Sequence, residues 1–211
     1  MNNCNHLHIL HIPFTGSSKV DAVAKERYDK LVKELDSEGI TEYSIIEGFY
    51  DPKNIKKAIH KGHQLIVRLA KEQGMEYCII AEDDLKFTAP GAWKYFISQI
   101  PESFDLFSGV VYSASMEGNR VMNGASGIMS LYVVSKRHYD FFLSMNTNNH
   151  VDREAGLTAY KHEYYVCDPQ VVIQRGGYSF NLRQSMTYEV YMEGKSFYGQ
   201  DGKKYIDGEW I

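Results

Sequence analysis

Cysteine is scarce in this chain. Cys4, Cys78 and Cys167 are the three thiols among 211 residues, and no two stand in a Cys-x-x-Cys pair. An odd, scattered set points away from a disulfide framework, and a reduced, cytoplasmic protein is the simplest reading. Long apolar runs are missing too. None approaches the roughly 20 residues needed to span a bilayer, so no transmembrane segment is expected, which leaves room only for peripheral membrane contact. Met1 to His6 has no basic region leading into an apolar core, so no signal peptide is expected. There is no surplus of positive charge: 23 basic against 27 acidic residues gives 23 − 27 = −4. That balance argues against general nucleic-acid binding, which relies on a positive surface. Neither an internal repeat nor a low-complexity linker is visible, so a single domain over 1–211 is favoured.

What remains is ordinary globular composition, 44% hydrophobic and 24% charged, in a chain long enough to bury a substantial core. Sixteen tyrosines offer flat apolar faces with a polar tip, suited to sugars and bases but equally at home in a core or on a surface.

The most informative stretch is Glu76-Tyr77-Cys78-Ile79-Ile80-Ala81-Glu82-Asp83-Asp84-Leu85. Its apolar run without helical spacing predicts a strand buried on both faces, as in a parallel sheet. Ligands of open α/β sheets collect beyond the carboxyl ends of such strands. Three acids there repel one another and lose hydration, so they call for a cation, and oxygen ligands suit Mg²⁺ or Mn²⁺. Strand alternation would put Glu82 and Asp84 on one side and Asp83 on the other. The plainer reading is a solvated acidic turn.

Around this strand the chain reads as alternating strands and helices. Leu7 to Ile12 predicts the first strand, and Pro13 to Ser18 a loop leading into a helix with a stripe from Val20 to Leu35. Arg27 lies inside that stripe and needs an anionic partner, either a carboxylate or a ligand phosphate. Tyr43 to Ile46 predicts a second strand. Pro52 suits the first turn of a helix over about 53–73, whose inward face includes His63, read as a core histidine or a ligand contact. Phe104 to Tyr112 predicts another strand, Ser113 to Gly127 a long loop with a turn at Asn123-Gly124, and Ile128 to Val134 a further strand. Asp152 stands where it could cap a helix. The last thirty residues read as an appendage or a hairpin around Asp201-Gly202. His6, His8 and His11 crowd the first strand; a metal site there is the less favoured reading.

The order of these features resembles the glycosyltransferases that include the lipooligosaccharide and collagen galactosyltransferases, carbohydrate family twenty-five. The matching residues are Arg27, Gly39-Ile40, Gly62-His63, Ile79 to Leu85 with its Glu-Asp-Asp, Tyr132 to Ser135, Val151-Asp152, Pro169, Gln174 and Ser179. The resemblance spans about 7–180. It departs at the start, where Pro13-Phe14-Thr15-Gly16 replaces the family's Asn-Leu-Asp and a single arginine replaces a pair, and Gly62 stands where serine is commoner.

The resemblance implies an α/β, GT-A, Rossmann-like fold with a central, mostly parallel sheet flanked by helices. Residues 1–112 would form the nucleotide-sugar half, 113–180 the acceptor half, and 181–211 the appendage. It further implies a UDP-linked sugar donor, Mn²⁺ (or Mg²⁺), and a glycan or lipid-linked acceptor. Glu82 and Asp84 would hold the metal. Pro13, Phe14, Thr15, Arg27, His63, Glu82 and Asp83 would meet the donor. A transfer that inverts configuration needs a base for the acceptor hydroxyl, with Asp152 the first candidate and Glu154 the second. Two rivals stand beside this reading. One is a sugar- or nucleotide-binding module without turnover. The other is a nucleotidyltransferase, disfavoured because no Gly-rich, Lys- or Arg-bearing phosphate loop appears near the N-terminus.

Overall fold

The computed structural model describes residues 5–211; Cys4 lies outside them, and Cys78 and Cys167 are buried free thiols. The chain runs β1 (Leu7–His11), α1 (Ser18–Ser37), β2 (Tyr43–Glu47), α2 (Ile55–Glu72), β3 (Tyr77–Glu82), β4 (Leu85–Phe87), α3 (Ala92–Ser98), β5 (Leu106–Ser108), β6 (Ser113–Glu117), β7 (Arg120–Ser126) and β8 (Leu131–Ser135). It continues through α4 (Tyr139–Ser144), α5 (Val151–Thr158), β9 (Tyr164–Val166), β10 (Val172–Gln174), β11 (Gly177–Ser179), β12 (Gln184–Met186), β13 (Tyr205–Ile206) and β14 (Glu209–Trp210).

Eight strands form the central sheet in the order β2-β1-β3-β8-β5-β9-β7-β6. The pairings orient β2, β1, β3, β5, β9 and β6 one way, and β8 and β7 the other. The fold is therefore α/β with a mostly parallel sheet flanked by helices. Side chains alternate across each strand, and that alternation divides the core in two. Leu7, Ile9, Ile79, Leu131 and Val133 pack on one face with Leu31 and Leu35 of α1 and Phe96 of α3. Leu10, Cys78, Ile80, Tyr132 and Val134 pack on the other with Ile66 and Val67 of α2, Phe142 of α4 and Val151 of α5. Gly62 is needed at this second layer. A Cβ there would lie 2.8 Å from Leu10 Cδ1, so glycine lets α2 sit close enough to β1 to push the next residue, His63, fully inside.

Several local expectations change. Pro52 precedes α2 instead of opening it; Asn54 is the N-cap, its side chain accepting from the Lys57 N–H at 3.2 Å. The strand expected over 104–112 pairs only at Leu106–Ser108, because the Ser108 hydroxyl reaches the carbonyls of Val110 and Ile128, both at 2.7 Å, and the chain turns away. The long loop at 113–127 is a hairpin of β6 and β7, and Asn123-Gly124 sits within β7. Its small polar residues reflect an exposed edge strand, not irregular backbone. The N-cap of α5 is His150, which leaves Asp152 in the first turn. The C-terminal hairpin turns at Asp207-Gly208, both at positive φ, rather than at Asp201-Gly202. The last thirty residues are also bound into the body: Met192 and Phe197 are buried in the first core layer.

Candidate functional site

β3 ends at Glu82, whose N–H donates to the Ser130 carbonyl at 3.0 Å. The chain then turns through Asp83 and Asp84 before β4. That turn cancels the expected strand alternation. Asp83 and Asp84 converge on one guanidinium, with Arg27 Nη1 2.7 Å from Asp83 Oδ1 and 3.2 Å from Asp84 Oδ2. Arg27 Nη2 also donates to the Tyr178 carbonyl at 3.2 Å. The anion facing Arg27 in this structure is thus a pair of carboxylates. Asp83 Oδ2 further accepts from the Ile12 N–H at 2.9 Å and lies 2.7 Å from His11 Nδ1. Burial would raise the Asp83 carboxyl, but Arg27, His11 and the Ile12 amide outweigh it and hold it below the ordinary range.

Its neighbours behave in the opposite sense. Burial, reinforced by Asp152 and Asp83, pushes the Glu82 carboxyl up to about 8 against the pull of Arg27 and Gln174. Asp84 is raised by burial and by its neighbours Glu82 and Asp83, with Arg27 opposing. Glu82 is held from two sides. Gln174 Nε2 donates to Oε2 at 2.9 Å, and His63 Nε2 lies 3.2 Å from Oε1. His63 Nδ1 is in turn 2.8 Å from the Tyr132 hydroxyl, and burial lowers its ring to about 4. A neutral imidazole has one donor and one acceptor nitrogen, so this ring links Tyr132 to Glu82 and fixes the carboxylate from behind.

Glu82, Asp83, Asp84 and Asp152 all line one cleft of about 320 Å³ at the carboxyl ends of β1 and β3. Other walls come from Tyr50, Lys56, Tyr112, Phe180, Tyr188 and Tyr191. Asp152 is fixed by two amides: Oδ2 accepts from the Gly127 N–H at 3.0 Å and Oδ1 from the Arg153 N–H at 2.8 Å. Gly127 has φ +66°, and a Cβ on it would lie 2.2 Å from the Tyr112 ring, so only glycine brings that amide to Asp152.

Not every expected residue meets here. Pro13, Phe14 and Thr15 are absent from the cleft lining. The Thr15 N–H instead donates to Asp21 at 2.7 Å, and Phe14 is half exposed, edge-on to the His11 ring. His63 lies behind Glu82 rather than in the cleft. Glu154 is also outside the lining, its carboxylate accepting from the Asn149 side chain and the Asn146 amide. The His6 and His8 rings lie 5.0 Å apart, but His11 bonds Asp83, so the three do not converge. Gln174 was marked in the sequence only as a family match, and β10 brings it to the site by pairing with β4. For Lys56, Tyr188 and Tyr191 the sequence carried no signal beyond the abundance of tyrosine.

The donor chemistry of the cleft fits a hard divalent cation. Asp84 Oδ1 is buried with no hydrogen-bond partner, and Glu82 and Asp84 are raised even with Arg27 opposing. Glu82 and Asp84 are the groups that would hold such an ion.

The chain matches no protein-family model and no curated protein. Among solved structures it is similar to a glycosyltransferase involved in the glycosylation of the major capsid of PBCV-1, at 16% identity and TM-score 0.49, covering 84% of this chain and 96% of that one. It is also similar to the inositol-1-phosphate CTP transferase of T. maritima, at 12% identity and TM-score 0.45, covering 76% and 84%. Among the described residues, no helix is long and apolar enough to cross a membrane.

Proposed function

We propose that this protein is a metal-dependent glycosyltransferase that moves a hexose from a UDP-sugar to a glycan or glycoconjugate acceptor, with inversion. The observation that carries the reading is the meeting of four carboxylates, Glu82, Asp83, Asp84 and Asp152, in one cleft, with a buried Asp84 oxygen left unpaired. Bound by Asp84 and Glu82, Mn²⁺ or Mg²⁺ would supply Lewis-acid stabilisation of the charge that develops on a diphosphate leaving group.

The protein's own groups divide the remaining work. Arg27 keeps Asp83 ionised and rigid, so Asp83 serves as the anchor of the acidic turn. His63 and Gln174 orient Glu82. Lys56 is a cation on the cleft wall, suited to a phosphate oxygen, and Tyr50 and Phe180 give apolar faces suited to a base or sugar. Asp152, held by two amides and open to the cleft, takes the proton from the acceptor hydroxyl. Glu154 is the weaker candidate because its carboxylate is engaged with Asn149 outside the cleft. A binding module without turnover would share the cleft but make no product.

The test is product formation from UDP-, GDP- and CMP-sugars with and without Mn²⁺, in the wild type and Asp152→Asn. The variant should keep metal-dependent donor binding and lose transfer by about 10²–10⁴, the usual size of a general-base contribution. Near-normal turnover by Asp152→Asn removes Asp152 from the mechanism, and absence of product from every donor and acceptor favours the binding module.

A further inference from the structure

At the end of the sheet opposite the cleft, three side chains from distant parts of the chain face one another. Asp105 immediately precedes β5, His138 follows β8, and His162 lies just before β9. One ligand atom from each falls within 4.8 Å of the others, and no other such group of three occurs among the described residues. None of the three lines the acidic cleft. His138 Nδ1 is 3.9 Å from Asp105 Oδ1, and His162 Nδ1 is 3.6 Å from Asp105 Oδ2. These separations exceed the 2.7–3.2 Å of a hydrogen bond. They approach the spacing of two ligands on one tetrahedral ion, roughly 3.3 Å for bonds of about 2.0–2.1 Å.

Hydrogen bonds hold two of the three groups, and the His162 ring stacks on Tyr164. His138 Nε2 is 2.7 Å from the Tyr164 hydroxyl, which leaves Nδ1 facing the carboxylate. A metal-bound imidazole is commonly fixed in this way through its other nitrogen. Asp105 receives Arg137 Nε at 2.8 Å on Oδ1 and the Glu163 N–H at 2.9 Å on Oδ2. Each carboxylate oxygen has two lone pairs, so one on each remains for the histidines' side. His138 is buried, and His162 and Asp105 keep 17% and 15% of their side chains exposed. The group is therefore open to solvent on the side of His162 and Asp105.

We propose that Asp105, His138 and His162 form a second metal site, separate from the cleft, that takes Zn²⁺. Two imidazoles and one carboxylate are the donor set of a borderline transition ion, not of Mg²⁺ or Mn²⁺, which favour oxygen. The ion joins the start of β5, the turn after β8 and the turn before β9. Its role is to clamp the amino-terminal end of the sheet, and no chemistry in the cleft depends on it.

The test uses the whole chain stripped with EDTA and titrated with Zn²⁺, read by bound-metal stoichiometry and melting temperature. Co²⁺ serves as a spectroscopic substitute. Expected are one equivalent of Zn²⁺ beyond any that the cleft takes, counted as the equivalent that persists in Asp84→Asn, with a raised melting temperature and the visible absorption of tetrahedral Co²⁺. His162→Ala, at a partly exposed position, should lose all three. Asp105→Asn, which keeps its shape, should weaken Zn²⁺ binding at least tenfold. Asp84→Asn, in the cleft, should retain the Zn²⁺ response. Failure of the wild type to bind Zn²⁺, or undiminished binding by His162→Ala, overturns the proposal. Loss of binding in Asp84→Asn with retention in His162→Ala assigns the ion to the cleft and overturns it equally.

Discussion

Raising the pH of the metal-free protein from 6.5 to 8.5 should destabilise it, and a divalent cation should reverse the loss. The carboxyl of Glu82 sits at about 8 in the folded chain against an ordinary 4.5. A group raised on folding contributes stability that is complete below its unfolded value and is lost as pH rises through its folded value. Applying linkage to those two values, Glu82 alone takes away about 2 kcal/mol between pH 6.5 and 8.5. This is an upper figure, because the side chain keeps 21% of its surface exposed. Asp84, also raised, adds in the same direction. The Glu82→Gln control matters because burial also lowers His8, His63 and His138 to about 4. In the unfolded chain such rings are half protonated at pH 6.5 and shed that proton by 8.5, a gain of about 0.4 kcal/mol each that opposes the loss, so the carboxyl effect is read as the difference between the wild type and Glu82→Gln. The assay is urea denaturation at four pH values in EDTA, then in excess Mn²⁺, on the wild type and Glu82→Gln. The wild type should lose stability with rising pH in EDTA and recover it with Mn²⁺, while Glu82→Gln should show a flatter slope. A Glu82→Gln profile parallel to the wild type in EDTA, or a wild-type slope in EDTA no steeper than that in Mn²⁺, would refute the reasoning.

Arg27→Ala should destabilise the fold by about 3–5 kcal/mol, because it leaves two buried carboxylates without their cation; thermal or urea unfolding measures it. Low pH, which protonates Asp83, should narrow the gap from the wild type, and a gap unchanged by pH would contradict the ion-pair account. Gly127→Ala puts a Cβ 2.2 Å from the Tyr112 ring at φ +66°. It should cost more than about 1 kcal/mol and reduce transfer through misplacement of Asp152. Unchanged stability and turnover would show that this loop yields without consequence. Tyr132→Phe should lower stability by about 1 kcal/mol and weaken Mn²⁺ binding, because His63 loses the partner that fixes it against Glu82. Unaltered Mn²⁺ affinity in a folded variant would remove His63 from the support of the site.

The elements whose apolar residues recur at the period of a helix or strand were legible from the chain alone. Leu31 and Leu35 in α1, Ile66 and Ala70 in α2, and Cys78 to Ala81 in β3 are buried as their spacing requires, because burial of a repeating face is a local property of sequence. The acids at 82–84 were legible for the same reason: they adjoin that strand covalently. The polar edge hairpin at 113–126 was not, since an exposed strand has no apolar alternation to reveal it. Nor was the partner of Arg27, because carboxylate and phosphate satisfy an arginine equally until a fold brings one of them near. Tertiary structure alone made the rest of the cleft. Gln174 reaches Glu82 across 92 residues through the pairing of β10 with β4. Asp152 joins the acids because Gly127 lets the β7–β8 connection hold it there. Asp105, His138 and His162 share one corner because β5, β8 and β9 pair side by side. Contacts of this kind depend on which strands lie next to one another, and the total burial of the whole sheet selects that order, not any local pattern of residues.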